Sequence, residues 1–167
     1  MPQPPPPSAE LSKPGAPIGV LVIDDQAAVR EGLARLIACA PLALRYVSTA
    51  ATRADALKAV HQLQPDVVVL DVDLAGEDGL ALIPQFALTS NILVLTSHGD
   101  PTTRARAAQL GAHAFIEKHQ PAAELLQAIA DICHRKNQGR EKAPNGEGTS
   151  PPPAMAPSSD AIKPTGA

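Results

Sequence analysis

One run of apolar residues constrains the fold of this chain more than any other stretch. Residues 67–70 read Val-Val-Val-Leu, and they are followed by Asp71 and, after one valine, by Asp73. Consecutive apolar residues, most of them β-branched, are typical of a strand that is buried on both faces of a parallel sheet. Such a strand ends in the crevice where open α/β sheets bind their ligands. A carboxylate is costly to bury there unless water, a cation or another charge stabilises it, so Asp71 is a candidate functional residue.

Length and composition exclude several classes of function. The 167 residues, 44% of them hydrophobic, predict one domain with a core of its own. A net charge of −3 and only three aromatic residues argue against direct nucleic-acid binding and against a charged membrane surface as partner. No apolar run reaches the length of a transmembrane helix, and the N-terminus lacks the features of a secretory signal. We therefore expect a cytoplasmic protein.

The distribution of proline predicts where the folded domain lies. Seven of the 18 prolines fall within residues 1–17, six follow residue 140, and five lie between. Residues 1–16 are expected to form a disordered proline-rich tail, and residues 137–167, rich in Pro, Gly, Ser and Ala, a second one. The folded domain is accordingly predicted at residues 17–136.

Strand-like and helix-like patterns alternate along this domain. Strands are predicted at residues 18–23, 42–47, 66–70, 92–95 and 113–117. Helices are predicted at residues 26–40, 53–64, 79–88, 101–110 and 121–136. Pro84 lies deep within the third helical pattern, so we expect a kink or a short, irregular segment there. The alternation predicts an α/β fold with a doubly wound parallel sheet and helices on both of its faces.

Polar residues follow four of the predicted strands. They are Asp24 and Asp25 after the first strand, Asp71 and Asp73 after the third, Thr96 and Ser97 after the fourth, and Lys118 after the fifth. Because parallel strands end at one edge of the sheet, these side chains are expected to converge. Clustered carboxylates repel each other unless they bind a cation, and oxygen ligands favour a hard ion such as Mg²⁺ or Mn²⁺. A lysine and a hydroxyl beside such an ion provide what a phosphoryl group needs.

The segments around these residues resemble response-regulator receiver domains, the phosphorylated domains of bacterial two-component signalling. The matching segments are Val-Leu-Val-Ile-Asp24-Asp25, Val-Val-Val-Leu-Asp71-Val-Asp-Leu-Ala-Gly-Glu-Asp-Gly79, Ile-Leu-Val-Leu-Thr96-Ser97 and Gly-Ala-His-Ala-Phe115-Ile-Glu-Lys118. The resemblance spans essentially the whole predicted domain. It implies a flavodoxin-like (βα)5 sheet with strand order 2-1-3-4-5.

The resemblance also implies a phosphorylation site and a metal site. Asp71 corresponds to the phosphoacceptor, which attacks the phosphohistidine of a sensor kinase or a phosphotransfer protein. Asp25 and Asp71 correspond to direct Mg²⁺ ligands, Asp24 to a ligand through water, and Asp73 to a ligand through its backbone carbonyl. Beyond self-dephosphorylation, no enzymatic activity is expected.

Four further residues correspond to the family's response machinery. Lys118 corresponds to the cation that pairs first with Asp71 and then with the phosphoryl oxygens. Thr96 corresponds to the switch hydroxyl and Ser97 to the small neighbour that keeps the pocket open. Phe115 corresponds to the aromatic switch, which turns inward when Thr96 moves.

The tail at residues 137–167 is too short for a helix-turn-helix output domain. We therefore expect a single-domain regulator that acts on a downstream protein through its own surface, as a monomer or a homodimer.

Two alternatives and one departure from the family's pattern bear on this interpretation. A strand that ends in Asp-x-Asp also occurs in haloacid-dehalogenase-type phosphatases, but their second acidic pair follows the lysine, whereas Asp24 and Asp25 precede every other motif. A receiver-shaped interaction module that is never phosphorylated is disfavoured because all the expected pocket residues are present. Ala75 replaces the proline usual in receivers, which predicts a looser loop after Asp71.

Overall fold

Five β-branched and leucine-rich segments form one parallel sheet in the computed structural model, which describes residues 16–141. The strands are β1 (Ile18–Ile23), β2 (Leu44–Ala50), β3 (Val67–Asp71), β4 (Asn91–Thr96) and β5 (Ala114–Glu117). Their order in the sheet is β2-β1-β3-β4-β5, and every neighbouring pair is parallel. Every residue of β1 and β3 is buried, which explains why β1 and residues 67–70 of β3 are uninterrupted apolar runs. The predicted flavodoxin-like fold and strand order are confirmed.

Five helices cover the two faces of the sheet. They are α1 (Ala27–Ala38), α2 (Arg53–Leu63), α3 (Ile83–Phe86), α4 (Pro101–Leu110) and α5 (Ala122–Glu141). One hydrophobic core contains buried residues of α2, α3 and α4, and the other contains buried residues of α1 and α5. Alternate residues of β3 point to opposite cores, Val68 to the first and Val69 to the second. No helix within residues 16–141 is long and apolar enough to cross a membrane.

Local signals in the sequence explain most helix boundaries. The Thr52 hydroxyl accepts a hydrogen bond from the backbone N–H of Asp55 and caps α2. Gly111 adopts the left-handed conformation (φ +106°) just past the end of α4. Pro84 lies in the first turn of α3, where its missing N–H costs no hydrogen bond, and a 3₁₀ turn, Gly79–Leu82, precedes it. The short, irregular segment expected around Pro84 is therefore present.

The last helix is longer than the sequence pattern predicts. It continues to Glu141, beyond the predicted helix end at residue 136, so the predicted domain boundary falls inside α5. The tails predicted at residues 1–16 and 137–167 lie, apart from Ala16 and the end of α5, outside the described residues.

A small hairpin after β3 was not predicted. The two-residue strands Asp73–Leu74 and Glu77–Asp78 pair in antiparallel fashion, and both residues between them have positive φ, +56° at Ala75 and +87° at Gly76. Two successive left-handed residues are typical of a type I′ turn, in which Asn-Gly is favoured over Ala-Gly. The Asp73 carboxylate accepts the backbone N–H of Gly76 at 2.8 Å. The loop after Asp71 is thus a paired turn, and its strained residue is Ala75.

Ala75→Asn is therefore expected to stabilise the domain by about 1 kcal/mol, because asparagine tolerates the left-handed conformation better than alanine does. Ala75→Pro is expected to destabilise it, since the proline ring fixes φ near −65°. Urea unfolding of the wild type and both variants measures the three free energies of unfolding. Equal stability of all three proteins would contradict the turn assignment.

Candidate functional site

The buried polar residues of the described chain are concentrated at the carboxyl edge of the sheet. Asp24 (1% exposed) follows β1, Asp71 (6%) ends β3 and Thr96 (5%) ends β4. The fourth buried polar residue, Ser90, lies elsewhere and donates its hydroxyl to the Pro65 carbonyl. Because β1, β3 and β4 are neighbours in the sheet, the fold itself brings three polar strand ends together.

Lys118 joins two of the carboxylates at this edge. Its Nζ donates to Asp24 Oδ2 at 2.7 Å and to Asp71 Oδ2 at 2.9 Å, and its side chain is 16% exposed. The backbone N–H of Lys118 donates to the Thr96 carbonyl at 2.7 Å, which fixes the end of β5 beside the end of β4. One ammonium group is thus shared by two buried carboxylates.

Burial and the shared ion pair oppose each other in setting the protonation of these groups. Burial raises the pKa of Asp71 above its ordinary value, and the repulsion from Asp24 adds to this, while Lys118 offsets only part of the rise. Burial alone would lower the pKa of Lys118, but its bonds to Asp24 and Asp71 raise it. Lys118 therefore stays charged at neutral pH, and the ionised form of Asp71 costs free energy.

Three carboxylates at the edge form a potential metal site. Oxygen atoms of Asp24, Asp25 and Asp71 all lie within 4.8 Å of one another. The three carboxylates outnumber the Lys118 ammonium, and an oxygen-only donor set suits a hard divalent cation. The residues present therefore fit such an ion.

Asp73 stands apart from this acidic cluster. Its side chain is exposed and accepts the N–H of Gly76, while its backbone N–H points to Asp71 Oδ1 at 3.5 Å. Its predicted role as a ligand through the backbone carbonyl stays a prediction.

An open cleft of about 400 Å³ gives solvent access to Asp71. Asp25, Asp73, Thr96 and Ser97 line it together with His98, Asp100 and Thr103. Ser97 is exposed at its rim. The Thr96 hydroxyl donates to the His98 carbonyl at 3.1 Å and accepts the His98 N–H at 3.2 Å. It is therefore engaged with the β4–α4 loop, with no hydrogen bond to Asp71 among the described residues.

Phe115 is half-buried on β5 and does not line the cleft. The guanidinium of Arg104, from α4, lies 4.6 Å from the centre of its ring and also 3.6 Å from Glu117 Oε1. The predicted aromatic switch is thus packed against α4 by a cation–π contact.

Sequence reasoning missed one residue that shapes the site. A Cβ atom on Gly79 would lie 2.1 Å from the backbone oxygen of Asp71, and the Gly79 N–H donates to the Val72 carbonyl at 2.7 Å. Glycine is required here by the close approach of two backbones. The available signal was a glycine at the junction of a predicted loop and helix.

Comparison with known proteins identifies the family. Residues 20–130 match the model of the response regulator receiver domain. The chain belongs to this family. The match confirms the predicted receiver domain, and it argues against the haloacid-dehalogenase-type alternative.

Individual relatives agree with this assignment. The chain is 33% identical to a protein-glutamate methylesterase/protein-glutamine glutaminase of Koribacter versatilis, over 77% of this chain and 37% of that protein. A LuxR-family response regulator of Aurantimonas superposes with a TM-score of 0.65 and 28% identity, covering 75% of this chain and 98% of the other. A response regulator of Burkholderia pseudomallei, solved with a phosphorylated aspartic acid, a calcium ion and citrate, gives 0.62 and 27%, covering 77% and 75%. The first curated relatives are longer proteins, of which the matches span 37% to 56%.

The raised pKa of Asp71 predicts that Asp71→Asn stabilises the receiver domain. At neutral pH the free energy of unfolding should rise by about 1 kcal/mol, because an amide removes the cost of a buried charge. The Asp71 carboxyl holds its proton more tightly in the folded protein than in the unfolded chain. Its ionisation therefore costs no stability below pH 3.8, the ordinary pKa, and this cost grows as the pH rises through the folded pKa. The advantage of the variant should therefore vanish in acid. Urea unfolding of both proteins, from neutral pH to below pH 3.8, measures this difference in the free energy of unfolding.

Asp66→Asn is the matched control, with the opposite sign. Burial alone would raise the pKa of Asp66, but hydrogen bonds from Lys136 and the Gly19 N–H lower it on balance. Its ionised form therefore contributes stability above pH 3.8, which is lost as the pH falls through the folded pKa. Asp66→Asn should destabilise the domain at neutral pH. Destabilisation by both variants would contradict the charge cost assigned to Asp71.

Proposed function

We propose that this chain is a phosphoacceptor response regulator of a two-component or phosphorelay system, with Asp71 as the nucleophile. The observation that carries the proposal is the position of Asp71: buried at a strand end, open to the cleft, bonded to Lys118 and close to two further carboxylates. A carboxylate held in this way has no evident structural purpose, since its ionisation costs stability.

The reaction proposed is in-line phosphoryl transfer from a phosphohistidine. A carboxylate oxygen of Asp71 attacks phosphorus, the P–N bond breaks, and the electron pair leaves on the imidazole nitrogen, which takes up a proton. Lys118 is placed to move with the charge, from the Asp71 carboxylate to an oxygen of the phosphoryl group. Asp71 needs no general base because its attacking form is the anion.

Mg²⁺ or Mn²⁺ is the proposed cofactor. The carboxylates of Asp25 and Asp71 and the backbone carbonyl of Asp73 would hold it directly, with Asp24 acting through water. When bound, the ion supplies positive charge that offsets the charge of the incoming phosphoryl group.

The proposed response begins at Thr96. Its hydroxyl would leave the His98 backbone to bond the phosphoryl group, Ser97 would leave space for that movement, and Phe115 would turn inward. Such a rotation would separate the Phe115 ring from Arg104 and so change the packing of α4 against β5. The surface formed by α4, β5 and α5 is the proposed output, read by a downstream protein or by a second copy of the chain.

The proposed phosphodonor is a sensor histidine kinase or a phosphotransfer protein of the cytoplasm. An apolar groove between α1 and α5 is a suitable docking site for a helix of this phosphodonor. The groove is lined by Val29, Leu33 and Leu125, and it opens beside Lys118. A helix bound there would lie at the edge of the acidic cleft. Self-dephosphorylation is the only hydrolytic activity proposed.

Incubation with acetyl phosphate and Mg²⁺ is expected to add the mass of one phosphoryl group to the wild type, measured by intact mass spectrometry. Asp71→Asn should gain none, and omission of the metal by chelation should abolish the gain. Asp73→Asn is the matched control, because its exposed side chain is not needed for transfer while its backbone carbonyl is kept. Equal labelling of Asp71→Asn, or no labelling of the wild type, would refute the proposal and favour an interaction module.

The switch is tested with Thr96→Val, which keeps the shape of the side chain and removes its hydroxyl. Phosphorylation should change hydrogen–deuterium exchange in α4 and β5 of the wild type, and the variant should accept phosphate with little such change. Thr89→Val, at an exposed position outside the cleft, should respond as the wild type does. The same exchange response in Thr96→Val would exclude the hydroxyl as the switch.

A further inference from the structure

We propose that Arg30 of α1 is a positioning residue for the acidic loop at residues 24–26, holding Asp25 where it can bind the divalent ion. This inference rests on the proposed function, because it concerns the metal site of the same cleft. It assigns a role to a residue outside the acidic cluster and outside the predicted site.

The Arg30 side chain folds back over the first turn of its own helix. Its guanidinium nitrogen NH1 donates to the backbone carbonyl of Asp24 at 2.8 Å and to that of Asp25 at 3.4 Å. Its backbone N–H donates to the Gln26 carbonyl at 2.9 Å, which ties the same residue to the start of α1. One half-buried residue therefore contacts the backbone of all three loop residues.

The loop lacks the side-chain cap that the starts of α2 and α4 have. Thr52 caps α2 and Asp100 caps α4, each through its side chain, but Gln26 makes no such bond at the start of α1. A helix start without a side-chain cap leaves its loop free to fray. The Arg30 guanidinium is a donor and cannot cap N–H groups, but it fixes the loop through its carbonyls, at Asp24 and Asp25.

Asp25 depends on that support more than Asp24 does. The Asp24 carboxylate is held from both sides, by Lys118 and by the Gln26 N–H at 2.8 Å. The Asp25 carboxylate accepts no hydrogen bond from residues 16–141 and lies next to two other carboxylates. Its place in the cluster is set by its backbone, and the Asp25 carbonyl is one of the two atoms that Arg30 holds.

Arginine suits this role better than lysine. Both bonds come from one nitrogen, NH1, whose two protons are fixed in the plane of the guanidinium, whereas an ammonium on a flexible stem has no fixed donor directions. Arg30 also adds a second positive charge near three carboxylates that Lys118 alone does not neutralise.

These two contributions of Arg30 have opposite effects on metal binding. Its charge repels a cation, so removal of the charge would strengthen binding, whereas loss of its hydrogen bonds would release the loop and weaken binding. The positioning role requires that the hydrogen bonds dominate.

Calorimetric titration with Mg²⁺ alone, without a phosphodonor, separates the two. Arg30→Met is expected to raise the dissociation constant about tenfold, the size typical for residues that support metal ligands. Arg30→Lys keeps the charge and loses the fixed donor directions of the guanidinium, so it should also bind more weakly than the wild type. Arg35→Met, which removes an exposed charge from the same helix, should bind as the wild type does.

A second measurement follows the loop without any metal. Hydrogen–deuterium exchange at residues 24–27 should be faster in Arg30→Met and unchanged in Arg35→Met, and urea unfolding verifies that each variant is folded. If Arg30→Met does not fold, Arg30→Lys decides the question by its own titration.

The outcomes distinguish failure of this inference from failure of the proposed function. No Mg²⁺ binding by the wild type would overturn both. Wild-type binding with an equal or tighter constant in the folded Arg30 variant would overturn the positioning role alone, and would identify Arg30 as a repelling charge. Weaker binding together with faster exchange at the loop supports it.

Discussion

The ion pair that Lys118 makes with Asp24 and Asp71 is the constraint on which the rest of the site depends. It joins the ends of three strands, two in the centre of the sheet and one at its edge. Carboxylates as buried as these are retained in a fold only if a counter-charge lies within hydrogen-bond distance. A single ammonium shared by two such groups leaves the site short of positive charge. This deficit, with the oxygen atoms of Asp24, Asp25 and Asp71 close together, makes the edge a potential site for a divalent ion.

The two ends of the sheet differ in how well the charge of their carboxylates is compensated. At the carboxyl edge the cost of ionising Asp71 is only partly offset, while at the opposite end Asp66 has Lys136 and the Gly19 N–H as partners. The ionised form of Asp66 therefore stabilises the fold, whereas the ionised form of Asp71 destabilises it. A domain that keeps a costly carboxylate at one end and a well-satisfied one at the other is typical of folds whose stability is sacrificed locally for chemistry.

Most of the fold could be predicted because its signals are local and strong. The apolar run at residues 67–70 of β3, the Thr52 cap and Gly111 after α4 each carry a physical mechanism that tertiary structure does not override. The polar strand ends could be expected to converge because parallel strands share an edge. The hairpin after Asp71 could not, since an Ala-Gly pair is a poor type I′ turn and is held there by its surroundings. Contacts between neighbouring elements, such as the Arg104–Phe115 stack and the approach of Gly79 to Asp71, leave no periodic trace in the sequence.

The pair of hydrogen bonds between Thr96 and the backbone of His98 has a consequence for how sensitively such a domain responds. The hydroxyl that would meet an incoming phosphoryl group is already satisfied at rest, so any new bond must compete with two existing ones. In the proposed response, the threshold would then depend on the loop geometry after β4 as well as on the acidic residues around Asp71. Substitutions in the exposed part of that loop would then shift the set point of the proposed switch without touching the acidic cluster.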